Sequence, residues 1–120
     1  MSSAEIWVYR TTSGHLFGAD LIGFHVEATD GQVGRIDQHS DEVGSAYLVV
    51  DTGPWIFGRH VLLPAGTVVQ VDHSEKKVYV DRSREEIKAG PDFEPRTHTS
   101  PAAREMYSSY YGPFYGGPML

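Results

Sequence analysis

The sequence predicts a mainly β fold: a small six-stranded antiparallel β-barrel with a short C-terminal helix and a flexible aromatic tail. Six short apolar segments of strand length lie between residues 24 and 80, and turn signals separate them. One capped helical segment follows the last of these, and the chain then becomes rich in Pro, Gly and Tyr. A chain of 120 residues suits one such domain with a tail.

The first two segments predict a β-hairpin. In residues 24–28, Phe24, Val26 and Ala28 share one face of an alternating pattern. The following pair, Asp30-Gly31, is typical of a two-residue type I′ turn. The return strand spans residues 32–39, and its broken alternation indicates a bulge near Gly34.

The later segments complete the predicted barrel. Residues 45–51 are apolar on both faces, which indicates a central strand, and residues 59–63 form a strand that Pro64 ends. Residues 68–72 and 78–80 predict a second hairpin. Ser83 is then a suitable N-cap, and Glu86 completes a capping box for two turns of helix before Gly90.

Composition divides the chain into three parts and bounds its setting. Residues 1–17 are a lead-in, residues 18–92 form the barrel, and residues 93–120 are a tail whose composition cannot build a core of its own. No apolar segment approaches the roughly 18 residues of a membrane span, and the N-terminus lacks a signal-peptide pattern. We therefore expect a cytoplasmic protein without a transmembrane segment.

Charge and cysteine content exclude several classes of function. The net charge is −6 and the basic residues are scattered, which argues against direct nucleic-acid binding. There is no cysteine, so disulfides, thiolate zinc sites and thiol catalysis are excluded.

No motif indicates catalysis, a cofactor or a metal. The six histidines show no short ligand spacing, and no serine lies in a nucleophile elbow. The carboxylate pairs are adjacent in sequence, so they do not face each other on a helix, and Gly31-x-x-Gly34 precedes no helix that would hold a phosphate. We expect a protein that is not an enzyme.

Aromatic residues supply the candidate interaction surface. Trp55, Ile56 and Phe57 form a loop that caps the barrel end or anchors a partner. Alternation also leaves Tyr47, Val49, Leu62 and Tyr79 on the outer face, where a second copy or the tail would cover them. The predicted interaction residues are Trp55, Ile56, Phe57, Tyr47, Tyr79, Tyr110 and Tyr111.

Four motifs follow one another between residues 18 and 92: Asp30-Gly-x-x-Gly-Arg-Ile36, Tyr47-Leu-Val-Val-Asp51, Val61-Leu-Leu-Pro64 and Ser83-x-Glu-Glu-Ile-Lys88. With these motifs the segment resembles the PRC-barrel, a domain found in the photosynthetic reaction-centre H subunit and in a ribosome maturation factor. The resemblance implies a compact barrel used for protein contacts and assembly, without catalysis.

These observations predict a non-enzymatic protein–protein interaction module that forms a homodimer. Analogy with the maturation factor offers an alternative, a ribosome- or RNA-processing-associated factor that acts through a protein contact. A second alternative is a small-molecule binder whose pocket at the barrel end is lined by Trp55, Phe57 and His60.

Overall fold

The computed structural model describes residues 6–55 and 59–116, and its centre is a six-stranded sheet. Every predicted strand is present, with ends within about two residues of those expected. The strands are β1 (His25–Ala28), β2 (Gly31–Ser40), β3 (Tyr47–Asp51), β4 (His60–Pro64), β5 (Val68–Asp72) and β6 (Lys77–Val80). The helices are α1 (Arg84–Lys88) and α2 (Pro101–Tyr111), with 3₁₀ turns at Ala65–Thr67 and Gly112–Tyr115.

The sheet is mixed and open, which corrects the predicted antiparallel barrel. The strand order is β4-β3-β2-β1-β6-β5, and β6 runs parallel to β1 while every other pair is antiparallel. The 3₁₀ turn at Ala65–Thr67 redirects the chain after β4, with the Thr67 hydroxyl donating to the Pro64 carbonyl at 2.8 Å. Because β5 leaves β4 at this corner, the two strands become opposite edges of the sheet.

The first hairpin turns one residue earlier than predicted. Ala28 pairs with Gly31, so the loop is formed by Thr29 and Asp30, neither of which has a positive φ. The loop is therefore not type I′, which needs a positive φ at both central residues. The predicted bulge is confirmed, since the register shifts opposite Val33.

The core occupies both faces of the central strands. Leu48 and Val50 lie on one face of β3, and Val49 lies on the other, where it pairs with Leu62 of β4. All four side chains are buried, so the apolar outer face expected at Val49 and Leu62 is not exposed. They belong to one apolar cluster that also includes Ile6, Trp7, Ala103, Tyr107 and Tyr111.

The C-terminal segment is helical, which corrects the predicted flexible tail. Ser100 is the N-cap of α2, its hydroxyl accepting from the Ala103 amide at 3.1 Å, and Pro101 occupies the first helical turn. The side chains of Tyr107 and Tyr111 are buried. The helix is stabilised here because these tyrosines belong to the buried apolar cluster, a tertiary contact that local composition does not reveal.

The helix α1 confirms the predicted capping box. The Ser83 hydroxyl accepts from the Glu86 amide at 3.1 Å, and the Glu86 carboxylate accepts from the Ser83 amide at 2.9 Å. Within the described residues, no helix has the length and apolar character needed to cross a bilayer.

Candidate functional site

A row of polar side chains crosses the sheet in register. His25 lies between Lys77 and Arg35, each on a neighbouring strand. Arg35 is opposite Asp51, and Asp51 is opposite His60. Directly opposed residues place their Cβ atoms about 5 Å apart on one face, so five strands bring charged and titratable groups together.

Trp55 stands beside this row and forms a groove with it. The Trp55 ring is half-buried, and the Arg84 guanidinium carbon lies 4.5 Å from its centroid. The groove has a volume of about 430 Å³, and its lining includes His25, Arg35 and Asp51. One Asp51 oxygen accepts from the Gly53 amide at 2.9 Å, which holds the carboxylate at the base of the loop.

Among the described residues, His60 lines a different groove from Trp55, so the predicted pocket of Trp55, Phe57 and His60 stays a prediction. It lies 3.4 Å from Asp37 and its ring contacts Phe93 with centroids 6.1 Å apart. Phe57, the third predicted lining residue, lies outside the described residues. Asp51 and Trp55 line one groove, and His60 lines the other.

A second surface is apolar, and we name it the end patch. Four large side chains from neighbouring loops are exposed there: Leu16, Phe17, Ile22 and Val43, with relative exposures of 59%, 77%, 51% and 79%. Contacts beneath them tie the two loops together. Large apolar side chains that are exposed close to one another often mark a surface that binds another molecule.

Asp41 holds the loops of the end patch in position. One of its oxygens accepts from the Gly18 amide at 2.9 Å and lies 3.3 Å from the His15 ring nitrogen. The other lies 3.1 Å from Nδ1 of His39. The His15 ring stacks on Tyr9 with centroids 3.7 Å apart. Burial first, and then the Asp41 charge, raise the pKa of Tyr9 well above its usual value, so its hydroxyl stays neutral.

This partly buried polar network supports the loops. His39 accepts the Leu21 amide at Nε2, over 3.2 Å, so its Nδ1 carries the proton that is donated to Asp41. Both ring nitrogens are thus engaged, and neither is available to a substrate. Within residues 6–55 and 59–116, no group of three or more His or carboxylate side chains is arranged to hold a metal ion.

The predicted interaction residues are dispersed over the fold. The Tyr47 hydroxyl lies 3.3 Å from the His98 ring, and Tyr110 donates to the Glu86 carbonyl at 2.6 Å. Tyr79 is half-buried on β6, and Tyr111 is inside the core. Ile56 and Phe57 lie outside the described residues. A role in partner binding for any of the seven residues stays a prediction.

Sequence reasoning did not identify the end patch. Its signal was the adjacent apolar pair Leu16-Phe17, which precedes Gly18 and belongs to no alternating strand pattern. The pair lies in the predicted lead-in, and the predicted interaction surface includes no residue of that segment. Val43 lies in a polar turn, and only tertiary contacts, those of Asp41 with Gly18 and His15, show that this turn neighbours the pair.

The structure thus defines a mainly β domain built on one mixed sheet, with a polar groove and an apolar end patch. No protein-family model matches the chain, and no curated protein matches it. One similar solved structure is RimM of Pseudomonas aeruginosa, named as a 16S ribosomal RNA processing protein, with 23% identity and a TM-score of 0.47. The match covers 59% of this chain and 48% of that one, about half its length. A likeness of this size shows neither a family nor an activity.

Proposed function

We propose that this chain is a non-enzymatic protein-binding module that self-associates through the end patch. The observation that carries the proposal is the exposure of Leu16, Phe17, Ile22 and Val43 on two loops that Asp41 joins. Removing apolar surface from water is worth about 25 cal/mol per Å², so a partner that covers these side chains gains binding free energy.

The support beneath the patch favours a binding role. Asp41 accepts the Gly18 amide and contacts two histidine rings, so the loops are held before any partner arrives. A surface that is already ordered loses less conformational entropy on binding. A large aromatic such as Phe17, exposed at 77%, is the kind of side chain that dominates binding energy at interfaces.

A second copy of the chain is the partner that we propose. A two-fold axis places the same patch on both subunits, so each exposed apolar surface is buried by its equivalent. Closed two-fold dimers are the commonest oligomers, and no complementary surface on another protein is required.

Sedimentation equilibrium of the full chain over a range of concentrations tests the proposal. Phe17→Glu places a charge in the patch and should weaken dimerisation at least tenfold, which is about 1.4 kcal/mol. Met106→Glu is the matched control, since Met106 is also exposed, at 51%, but lies on α2 and outside the patch. A wild-type chain that stays monomeric throughout, or equal losses in the two variants, would show that the patch does not mediate self-association.

We also infer that the chain is a divergent PRC-barrel. Residues of the resembling motif have structural roles that explain their identity: a Cβ on Gly34 would lie 2.0 Å from the Asp51 carbonyl oxygen, and Leu62, Leu63 and Pro64 are buried on β4. The capping box at Ser83 and Glu86 ends the motif. These roles support the inference residue by residue.

The ribosome-associated alternative is a separate outcome with its own measurement. If the chain acts there through a protein contact, it will cosediment with ribosomal subunits from a native lysate, and Phe17→Glu will release it. Cosedimentation that is unchanged in Phe17→Glu would place the contact elsewhere on the chain. Absence from ribosomal fractions would count against this alternative.

A further inference from the structure

We infer that the groove beside Trp55 binds the phosphate group of a small phosphorylated molecule. Arg35 and Arg84 supply the positive charge, and His25 supplies a hydrogen-bond donor. This inference does not depend on the end patch or on self-association.

Charge is the first argument. Arg35 is exposed on β2, and none of the ion pairs among the described residues includes it. Asp51 lies across the strand pair from it and is the carboxylate that lines the groove. Two arginines against one carboxylate leave this groove positive, although the whole chain carries a net charge of −6. A local field of this sign concentrates anions.

Arg84 is held in place before a ligand arrives. Its amide donates to the Asp30 carboxylate at 2.8 Å, and its guanidinium lies over the Trp55 ring. A Cβ on Gly31 would lie 3.0 Å from the Arg84 side chain, so glycine allows the arginine to lie close against the hairpin. The planar guanidinium fork of arginine is suited to phosphate oxygens.

His25 adds a donor through a fixed tautomer. The Gln32 amide nitrogen lies 2.8 Å from Nδ1 of His25 and can only donate, so Nδ1 accepts. The proton of the neutral ring is therefore on Nε2, where it is available for a further hydrogen bond. Hydrogen bonds to a charged acceptor are roughly twice as strong as neutral ones, which favours an anion over a neutral ligand.

Size and shape indicate a small molecule. A volume of about 430 Å³ is in the range of ligand pockets, which is roughly 300–1,000 Å³. Trp55 adds an aromatic surface at the same site, suited to the flat part of a ligand. Adenosine monophosphate is a suitable probe because it combines a phosphate with a planar ring.

Isothermal titration of the full chain, at constant ionic strength, tests the inference with adenosine monophosphate, inorganic phosphate and adenosine. We expect saturable binding of adenosine monophosphate, competition by phosphate, and binding of adenosine that is at least tenfold weaker. Arg84→Gln and Arg35→Gln should each weaken binding of the monophosphate at least tenfold. Arg96→Gln is the matched control, since it removes the same charge at an exposed position that does not line the groove.

The outcomes separate recognition from general charge attraction. An equal loss in Arg96→Gln, equally tight binding of adenosine, or no saturable binding up to about 10 mM would overturn the inference. Arg35 is exposed, so its variant keeps the test valid if Arg84→Gln disturbs the fold. Phe17→Glu should bind the monophosphate like the wild type, so failure of the proposed function and failure of this inference are distinguishable.

Discussion

Replacing Tyr107 with alanine tests whether α2 belongs to the core. The Tyr107 side chain is 1% exposed, and its ring meets the Trp7 ring edge to face with centroids 6.5 Å apart. Its hydroxyl donates to the Asp92 carbonyl at 3.2 Å. Removing a buried aromatic ring costs about 3–5 kcal/mol, a large share of the roughly 5–15 kcal/mol that stabilises a domain.

Urea unfolding followed by tryptophan fluorescence measures this loss, because Trp7 reports on the contact directly. Tyr107→Phe keeps the ring and removes the hydroxyl, so it should cost only about 1 kcal/mol. Ser109→Ala, at an exposed position of the same helix, is the control and should change little. We therefore expect the order Tyr107→Ala, then Tyr107→Phe, then Ser109→Ala.

Two results would refute this reasoning. A free energy of unfolding for Tyr107→Ala within about 1 kcal/mol of the wild type would mean that the helix contributes little to the cooperative core. A chain truncated before Pro101 that keeps the wild-type unfolding midpoint would mean the same. Either result would also support the predicted domain boundary, which makes residues 93–120 a tail.

Two further predictions concern the backbone and the effect of alkali. Gly34→Ala should cost about 3 kcal/mol or more, because its Cβ would overlap the Asp51 carbonyl. Gly44→Ala has open space around it and should cost only about 1–2 kcal/mol for its left-handed backbone; similar losses in both variants, measured by urea unfolding, would contradict the argument. Burial raises the pKa of Tyr107 to about 12, while an unfolded tyrosine titrates near 10. Above about pH 10 the unfolded chain loses this proton first, so the free energy of unfolding should fall as pH rises. Tyr107→Phe should reduce that slope, and an unchanged slope would show that Tyr107 is not its source.

Two features that depend on neighbouring residues were predicted correctly, whereas the type I′ turn at Asp30-Gly31 was not. Ser83 and Glu86 are three residues apart, and their capping box formed as expected. The bulge at Val33 followed from broken alternation within one strand. The candidate site was predicted only in part: Trp55 does line a groove, but its partners there are Arg84, Arg35 and His25, none of which the sequence had linked to it.

The sequence by itself determined the strand segments, the first helix and the apolar residues that must be buried. The alternation of apolar residues and the capping of a helix are local properties of the chain. Only the tertiary structure decided that β6 lies parallel to β1, that the sheet stays open, and that α2 and the N-terminal segment share one buried cluster with Val49 and Leu62. It also decided that Phe17 and Val43 remain exposed. Alternation shows which face of a strand is apolar, but which distant segment covers that face depends on the free energies of contacts between residues far apart in the chain.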